Sequence, residues 1–361
     1  MTVSSERVLQ ALASVTDPNT LKKLSVESGR CELSIDQNQV ELTLHMPYTA
    51  YDIQGQLRER IEQALAGVGA TLTKLHLNPR IGVHAVQEGL RPMPNIRNII
   101  AVSSGKGGVG KSTTSVNLAL ALHMQGARVG LLDADIYGPS VPTMLGLHER
   151  PRSADGKMME PLIGHGLQAN SIGFLLEENA PAIWRGPMAT QALTQLLTQT
   201  RWDDLDYLII DMPPGTGDIA LTLSQKVPLT GAVIVTTPQD LALIDAKRGL
   251  SMFQKVNVPV LGIVENMSVH ICSNCGHADP VFGQHGGRDM ASEFNVPWLG
   301  ALPLAMSIRA QTDSGTPTVI ASADSPEARL YHEIANRVSA NLSQLPPDTS
   351  GQRPKVVPRP L

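Results

Sequence analysis

Two short stretches of the chain hold residues whose types and spacing could do chemistry. The first is GKGGVGKST, Gly105 to Thr113, which follows the apolar run NIIAVSS and opens a helical pattern. It satisfies G-x-x-x-x-G-K-[ST] in the strand–loop–helix setting that the phosphate-loop pattern requires. Glycines at 105, 107, 108 and 110 let the amides from Gly105 through Lys106, Gly107, Gly108, Val109 and Gly110 curl around phosphate oxygens, and a helix N-terminus adds positive potential. Lys111 is placed to contact the β- and γ-phosphates, the Ser112 hydroxyl to ligate Mg²⁺, and Thr113 completes the loop. The alternative is a glycine-rich turn with no ligand, and the strand–loop–helix setting argues against it.

The second stretch is HICSNCGH, His270 to His277. Cys272 and Cys275 have the C-x-x-C spacing with which two thiolates grip one metal or one cluster edge, yet thiolate clusters and structural zinc sites want four ligands. The chain has only one other cysteine, Cys31, far upstream. Four readings are open for the pair. A thioredoxin-like redox pair belongs at a helix N-terminus, and Ser-Asn-Cys-Gly promises none. A structural zinc could recruit His270 or His277, although loop histidines more often face solvent. Unmodified thiols exposed in a loop are an oxidation liability. The fourth reading is half a site, completed by a second copy across a two-fold axis.

These residues need elements to position them. From Asn98 onward, the apolar runs NIIAVSS, RVGLLDAD, YLIIDMP, GAVIVTTP, PVLGIVENM and PWLGALP alternate with helical patterns such as KSTTSVNLALALHMQ. Continuous apolar runs suit strands covered on both faces, and their alternation with helices predicts an α/β fold: a mostly parallel sheet flanked by helices. Two runs end in carboxylates, LLDAD at Asp133 and Asp135 and YLIID at Asp211. A strand-end aspartate is also an ordinary cap or turn residue. Residues 1–84 predict a separate small α/β domain, with helices in SERVLQALASV and YDIQGQLRERIEQALAGV, a hairpin in CELSIDQNQVELTLHM and a further strand in TLTKLHL. Cys31 lies in that hairpin and reads as a half-buried structural thiol. Residues 85–97, rich in proline and glycine, read as a linker to a domain over 98–343. The proline-rich 344–361 reads as a disordered tail.

Lys106, just after the first glycine, gives KGGVGKST, and this resembles the deviant Walker A proteins, the family of nitrogenase iron protein, MinD and ParA. With SSGKGGVGKST, DADIYGPS, IIDMPPGTGD, TTPQDLALIDAKRG and ENMS…CSNCG, residues from about 97 to 343 resemble the Mrp/ApbC iron–sulfur cluster carriers and the related NBP-type scaffolds. The N-terminal unit is similar to the small iron–sulfur assembly domain often fused ahead of that ATPase. The resemblance implies a P-loop ATPase of MinD-like fold that hydrolyses ATP slowly, with Lys106 reaching the partner's phosphates in a nucleotide-sandwich homodimer. It implies that Asp135 aligns the attacking water, that Asp211 attends Mg²⁺ directly or through water, and that Pro213, Pro214, Gly215 and Gly217 form a switch. Asn266 in VENM matches a residue that reads the purine; a turn asparagine at a strand end is the other reading. In the resemblance, Cys272 and Cys275 of two chains hold a [4Fe–4S] cluster that passes from donors to apo-proteins.

Composition bounds the rivals. The 361 residues carry a net charge of −4, a pI near 6.2 and 3% aromatics. This balance disfavours non-specific attraction to nucleic acid and a base-stacking surface. The first residues lack a signal-peptide pattern and no apolar run reaches bilayer length, so the expected location is the cytoplasm. A MinD- or ParA-like spatial organiser acting on membrane or DNA is the main rival, but prolines at 346, 347, 354, 358 and 360 are incompatible with a C-terminal amphipathic helix. An ATPase with a structural zinc is the second.

Overall fold

The computed structural model describes residues 3–50, 52–175, 186–272 and 274–350. Its N-terminal unit begins with α1 (Ser5–Ser14), capped by the Ser4 hydroxyl, which accepts the Arg7 amide at 3.4 Å. Strands β1 (Cys31–Asp36) and β2 (Gln39–Met46) form the expected antiparallel hairpin, with Gln37 at φ +56° in its turn. Alternation along β2 buries Val40, Leu42, Leu44 and Met46. Helix α2 (Gln54–Ala66) crosses back, so β3 (Thr71–Pro79) lies parallel to β2. Leu57 and Ile61 pack with Val8, Leu12 and Leu42 in one core, which Ala340 of the C-terminal helix joins. A buried hydroxyl pair, Thr49 Oγ1 to Ser339 Oγ at 2.9 Å, ties the unit to that helix.

The larger unit is built on an eight-stranded sheet. Its strands are β4 (Ile96–Ser104), β5 (Val129–Asp133), β6 (Leu162–Gly164), β7 (Leu167–Ser171), β8 (Leu205–Asp211), β9 (Gly231–Thr236), β10 (Val260–Glu265) and, after a separate two-stranded hairpin β11 (His270–Ile271) and β12 (Ala278–Asp279), β13 (Trp298–Ala301). The order across the sheet is β13-β10-β9-β4-β8-β5-β7-β6, and only the edge strand β6 runs antiparallel. Successive residues of β4 serve opposite layers: Ile100 and Val102 face the core shared with α3 (Lys111–Met124) and α11 (Pro326–Ser343), whereas Ile99 and Ala101 face the one shared with α5 (Gly186–Thr198), α6 (Asp218–Lys226), α7 (Asp240–Lys255) and α8 (Gly286–Glu293). Covered on both faces, these strands had to be apolar throughout. The short helices α4 (Val141–Met144), α9 (Met306–Asp313) and α10 (Thr318–Ala321) fill the rim.

Three features depart from the sequence reading. Strands β6 and β7 lie in LIGHGLQANS, whose polar residues hide them; buried Asn170 donates to Thr200 Oγ1 at 2.7 Å. The linker is packed, because buried Gln87 donates to the carbonyls of Ser224 and Val227 at 2.8 and 3.2 Å. Residues 346–348 run along 83–85 instead of trailing free: Ala85 N–H donates to the Pro346 carbonyl at 2.9 Å and Asp348 N–H to that of Val83 at 3.0 Å. Proline loses its donor and keeps its acceptor, so this pairing survives both prolines. The remainder of the expected tail, 351–361, lies outside the described residues.

Candidate functional site

Parallel strands bring their C-terminal ends to one edge, and the chemistry collects there. In register, Asp133 lies opposite Asp211, and Asp211 opposite Val102 of the strand that feeds the glycine loop. The loop needs its glycines for two different reasons. Gly107 and Gly108 face open space, and Gly108 takes φ +80°; such bare amides suit phosphate oxygens. Gly105 and Gly110 are instead gripped by protein. A Cβ on Gly105 would lie 2.1 Å from the Asp245 backbone in α7, and one on Gly110, also at φ +80°, would lie 2.1 Å from Asn266 Nδ2. Ser104 Oγ fixes the Lys106 carbonyl at 2.9 Å.

Lys111 opens α3 with its side chain buried, and its ammonium sits 2.8 Å from Asp211 Oδ1 and 3.1 Å from Ser112 Oγ. Ser115, one turn further along the same helix face, donates to the same Asp211 oxygen at 2.6 Å. Asp211 Oδ2 is buried and has no hydrogen-bond partner among the described residues. A fully buried carboxylate with one oxygen unclaimed, sharing the Lys111 ammonium with the Ser112 hydroxyl, fits the hard oxygen-ligand set that Mg²⁺ prefers.

The two carboxylates of the β5 end do different work. Asp133 is wholly buried and accepts four bonds, each at 3.1 Å: Oδ1 from Asp135 N–H, and Oδ2 from Ser140 N–H, Val141 N–H and the Ser171 hydroxyl. It pins the whole turn from Asp135 to Val141. Burial, and then the Asp211 carboxylate, push its titration upward against the pull of Lys111. Asp135 is less enclosed; burial raises it too, opposed by Lys111 and reinforced by Asp211, so it shares the field of the phosphate site. The expected switch after Asp211 is tied down at Gly215, whose amide donates to the Ser104 carbonyl at 2.9 Å.

Asn266 is placed beside the phosphate loop, where its Nδ2 donates to the Val109 carbonyl at 2.9 Å. Lys106 is partly exposed on the rim. The cysteine pair lies beyond Asn266 on the β11/β12 hairpin, which short two-residue strands concealed from periodicity. Cys272 N–H donates to the His277 carbonyl and Gly276 N–H to that of Cys272, both at 2.9 Å. The amides of Cys275 and Asn274 turn towards Cys272 and hold its thiol below the usual range. Among the described residues no three His, Cys, Asp or Glu side chains gather as a metal-binding group. Cys31 begins β1, half-buried, its thiol pushed up by burial and then by Glu32.

Sequence reasoning missed Ser115 and the pinning role of Asp133. Ser115 follows Lys111 by four positions, the helical spacing that shares a face, and this was a usable sign. Nothing in the sequence announced Ser171 or the Val109–Asn266 contact.

Comparison with known proteins follows the same division. Residues 95–339 match the family described as NUBPL iron-transfer P-loop NTPase, and residues 5–72 that described as iron–sulfur cluster assembly protein. The chain is 50% identical over 337 residues to an iron–sulfur cluster carrier protein of Escherichia coli K12, covering 93% of this chain and 91% of that one. It is 50% identical over 258 residues to the iron–sulfur cluster transfer protein NUBPL of Mus musculus, covering 71% and 81%. A nucleotide-binding protein of Archaeoglobus fulgidus, solved with ADP, superposes with a TM-score of 0.57 at 36% identity, over 65% of this chain and 91% of that one. Pyrococcus furiosus MinD, at 22% identity and a TM-score of 0.50 over 67% and 98%, shares the fold. With its strand-end carboxylates, its glycine loop and its cysteine hairpin in this arrangement, the chain belongs to the NUBPL-type iron-transfer P-loop NTPase family.

Proposed function

We propose that this protein is an ATP-hydrolysing iron–sulfur cluster carrier, which takes a cluster from donor proteins, holds it between two copies of itself and passes it to apo-proteins. The observation that carries the reading is the Cys272–Cys275 turn. It offers two sulfurs, one made more acidic by backbone amides, on an exposed hairpin with no further ligand gathered beside it among the described residues. Two such hairpins facing across a two-fold axis supply the four thiolates of a [4Fe–4S] cargo. Exposure suits release better than a closed cage.

In this reading Gly105 to Thr113 wrap the triphosphate of ATP, and Lys111 leaves Asp211 for the β- and γ-phosphates. Ser112 and Asp211 then hold Mg²⁺, Asp211 directly or through water, and Asp135 aligns the attacking water. Mg²⁺ when bound neutralises charge on the phosphate oxygens. Lys106, whose ammonium has no ion-pair partner among the described residues, reaches the partner's nucleotide. Hydrolysis is slow until a partner engages. The protein works in the cytoplasm as a homodimer, with neither membrane nor nucleic acid among its partners; no helix of the described residues is long and apolar enough to cross a membrane.

The test is anaerobic reconstitution of the Cys272→Ala, Cys275→Ala variant. The reading expects iron and sulfide uptake to be lost with ATP binding retained. Stoichiometric iron and sulfide on that variant overturns it, and zinc bound at one atom per chain by the wild type would favour a structural metal instead.

A further inference from the structure

The segment that carries the cysteines is fastened at its base to the phosphate loop. It leaves the sheet at Glu265–Asn266 and returns at α8. On the way out, Asn266 N–H donates to the Thr236 carbonyl at 2.7 Å, and its side chain donates to the Val109 carbonyl at 2.9 Å. On the way back, Gly287 N–H donates to the buried Glu265 Oε2 at 2.6 Å. Beyond Asn266 the chain stays braced: Ser268 N–H donates to the Leu302 carbonyl at 3.0 Å and Leu304 N–H to that of Val269 at 2.8 Å. Cys272 follows directly after the strand so held.

The contact with the loop is tight and specific in direction. Gly110 sits so close to Asn266 Nδ2 that a Cβ there would fall at 2.1 Å, and Val109 is buried. The peptide between Val109 and Gly110 has two ends with different tasks. Its N–H belongs to the run of amides that close on phosphate, and its carbonyl is the one Asn266 holds. A rotation of that peptide on binding nucleotide therefore pulls on Asn266, and a fixed Asn266 resists the rotation. Linkage requires this influence to run both ways.

We propose that Asn266 is a positioning residue which couples nucleotide at the phosphate loop to the placement of the Cys272–Cys275 hairpin, through its bond to the Val109 carbonyl. This deepens the carrier reading and rests on it for its purpose, but the coupling itself is measurable on the free thiols, with no cluster present. It differs from a purine-reading role, in which the amide would face the base.

The experiment uses the full chain with Cys31→Ser, reduced and anaerobic, and measures maleimide alkylation of Cys272 and Cys275 with and without Mg-ATP, together with affinity for ATP and for inorganic tripolyphosphate. The expected result is a several-fold effect of Mg-ATP on alkylation with Asn266 intact. In Asn266→Ala and in Asn266→Leu, which is close in size and has lost the donor without adding charge, that ratio, read at saturating Mg-ATP, falls to about one. An unchanged ratio in the variants, or no effect of Mg-ATP even with Asn266 intact, overturns the proposal. So does a tenfold loss of ATP affinity with tripolyphosphate binding preserved, which would assign Asn266 to the base. Failure of the wild type to take up iron and sulfide would defeat the carrier reading alone, because the alkylation ratio is measured without a cluster and decides the coupling by itself.

Discussion

Lys111 Nζ lies 2.8 Å from Asp211 Oδ1, with the lysine side chain 6% exposed and the aspartate fully buried. Each charge is the other's main compensation in a place where an isolated ion is costly. In the proposed mechanism nucleotide separates them, because Lys111 then turns its ammonium to the β- and γ-phosphates.

The first prediction concerns that pair. Lys111→Met should abolish ATP hydrolysis and lower stability by about 3 kcal/mol, since it strands a buried carboxylate. Lys111→Met with Asp211→Asn should recover part of that loss without recovering hydrolysis, because the uncompensated charge is gone. Thermal unfolding of the single and double variants decides it; equal destabilisation would show the pair to be uncoupled.

A second prediction follows from Gly105. Alanine there would place Cβ 2.1 Å from the backbone carbon of Asp245 and 2.3 Å from the Ala246 nitrogen. Backbone in the middle of a packed helix cannot yield cheaply, so Gly105→Ala should cost about 1–3 kcal/mol or more and weaken ATP binding together with stability. Gly107→Ala, with open space around it, should leave stability within about 0.5 kcal/mol. Denaturant melts of the two variants provide the comparison.

Asp133 yields the third. Its two oxygens accept four donors, whereas an asparagine has one acceptor oxygen and would turn an N–H₂ towards three or fewer of the same donors. Asp133→Asn should therefore destabilise by about 2 kcal/mol and cut hydrolysis at least tenfold by loosening the turn that holds Asp135. Chemical denaturation and a phosphate-release assay test both parts, and wild-type turnover in the variant would contradict the pinning role.

How much of this was legible in the sequence depended on the kind of information each residue carries. The glycine loop and the C-x-x-C are local patterns, so they stood out as candidate sites before any fold was known. The parallel sheet was legible because strands such as YLIID are covered on both faces and apolar without a break. β7 was not, because Asn170 and Ser171 are polar residues buried through partners distant in sequence, Thr200 and Asp133. Asn266 was legible as a residue of interest and not in its contact: the Val109 carbonyl it holds lies 157 positions upstream. The C-terminal segment misled in the opposite way. Its prolines spoke for disorder, yet the Pro346 carbonyl accepts the Ala85 amide and the segment runs along 83–85.

The fourth prediction concerns thiol reactivity in the cluster-free protein. Backbone amides hold the Cys272 thiol below its usual range, and burial followed by Glu32 hold Cys31 above it. The thiolate is the nucleophile, so Cys272 should alkylate at least tenfold faster than Cys31 near neutral pH. As pH rises, the Cys272 rate should level off first, because its thiolate fraction saturates at lower pH. Mass mapping of a time course resolves the sites, and a faster Cys31 would contradict the assignment.

The central claim is that one chain supplies two sulfurs and its twin the other two. Native mass spectrometry of the anaerobically reconstituted protein reads this directly. Iron and sulfide should appear only on a species of two chains, at about four of each per pair, and the Cys272→Ala, Cys275→Ala variant should show none. A single chain that carries the full cluster, with no partner in the same ion, would contradict it.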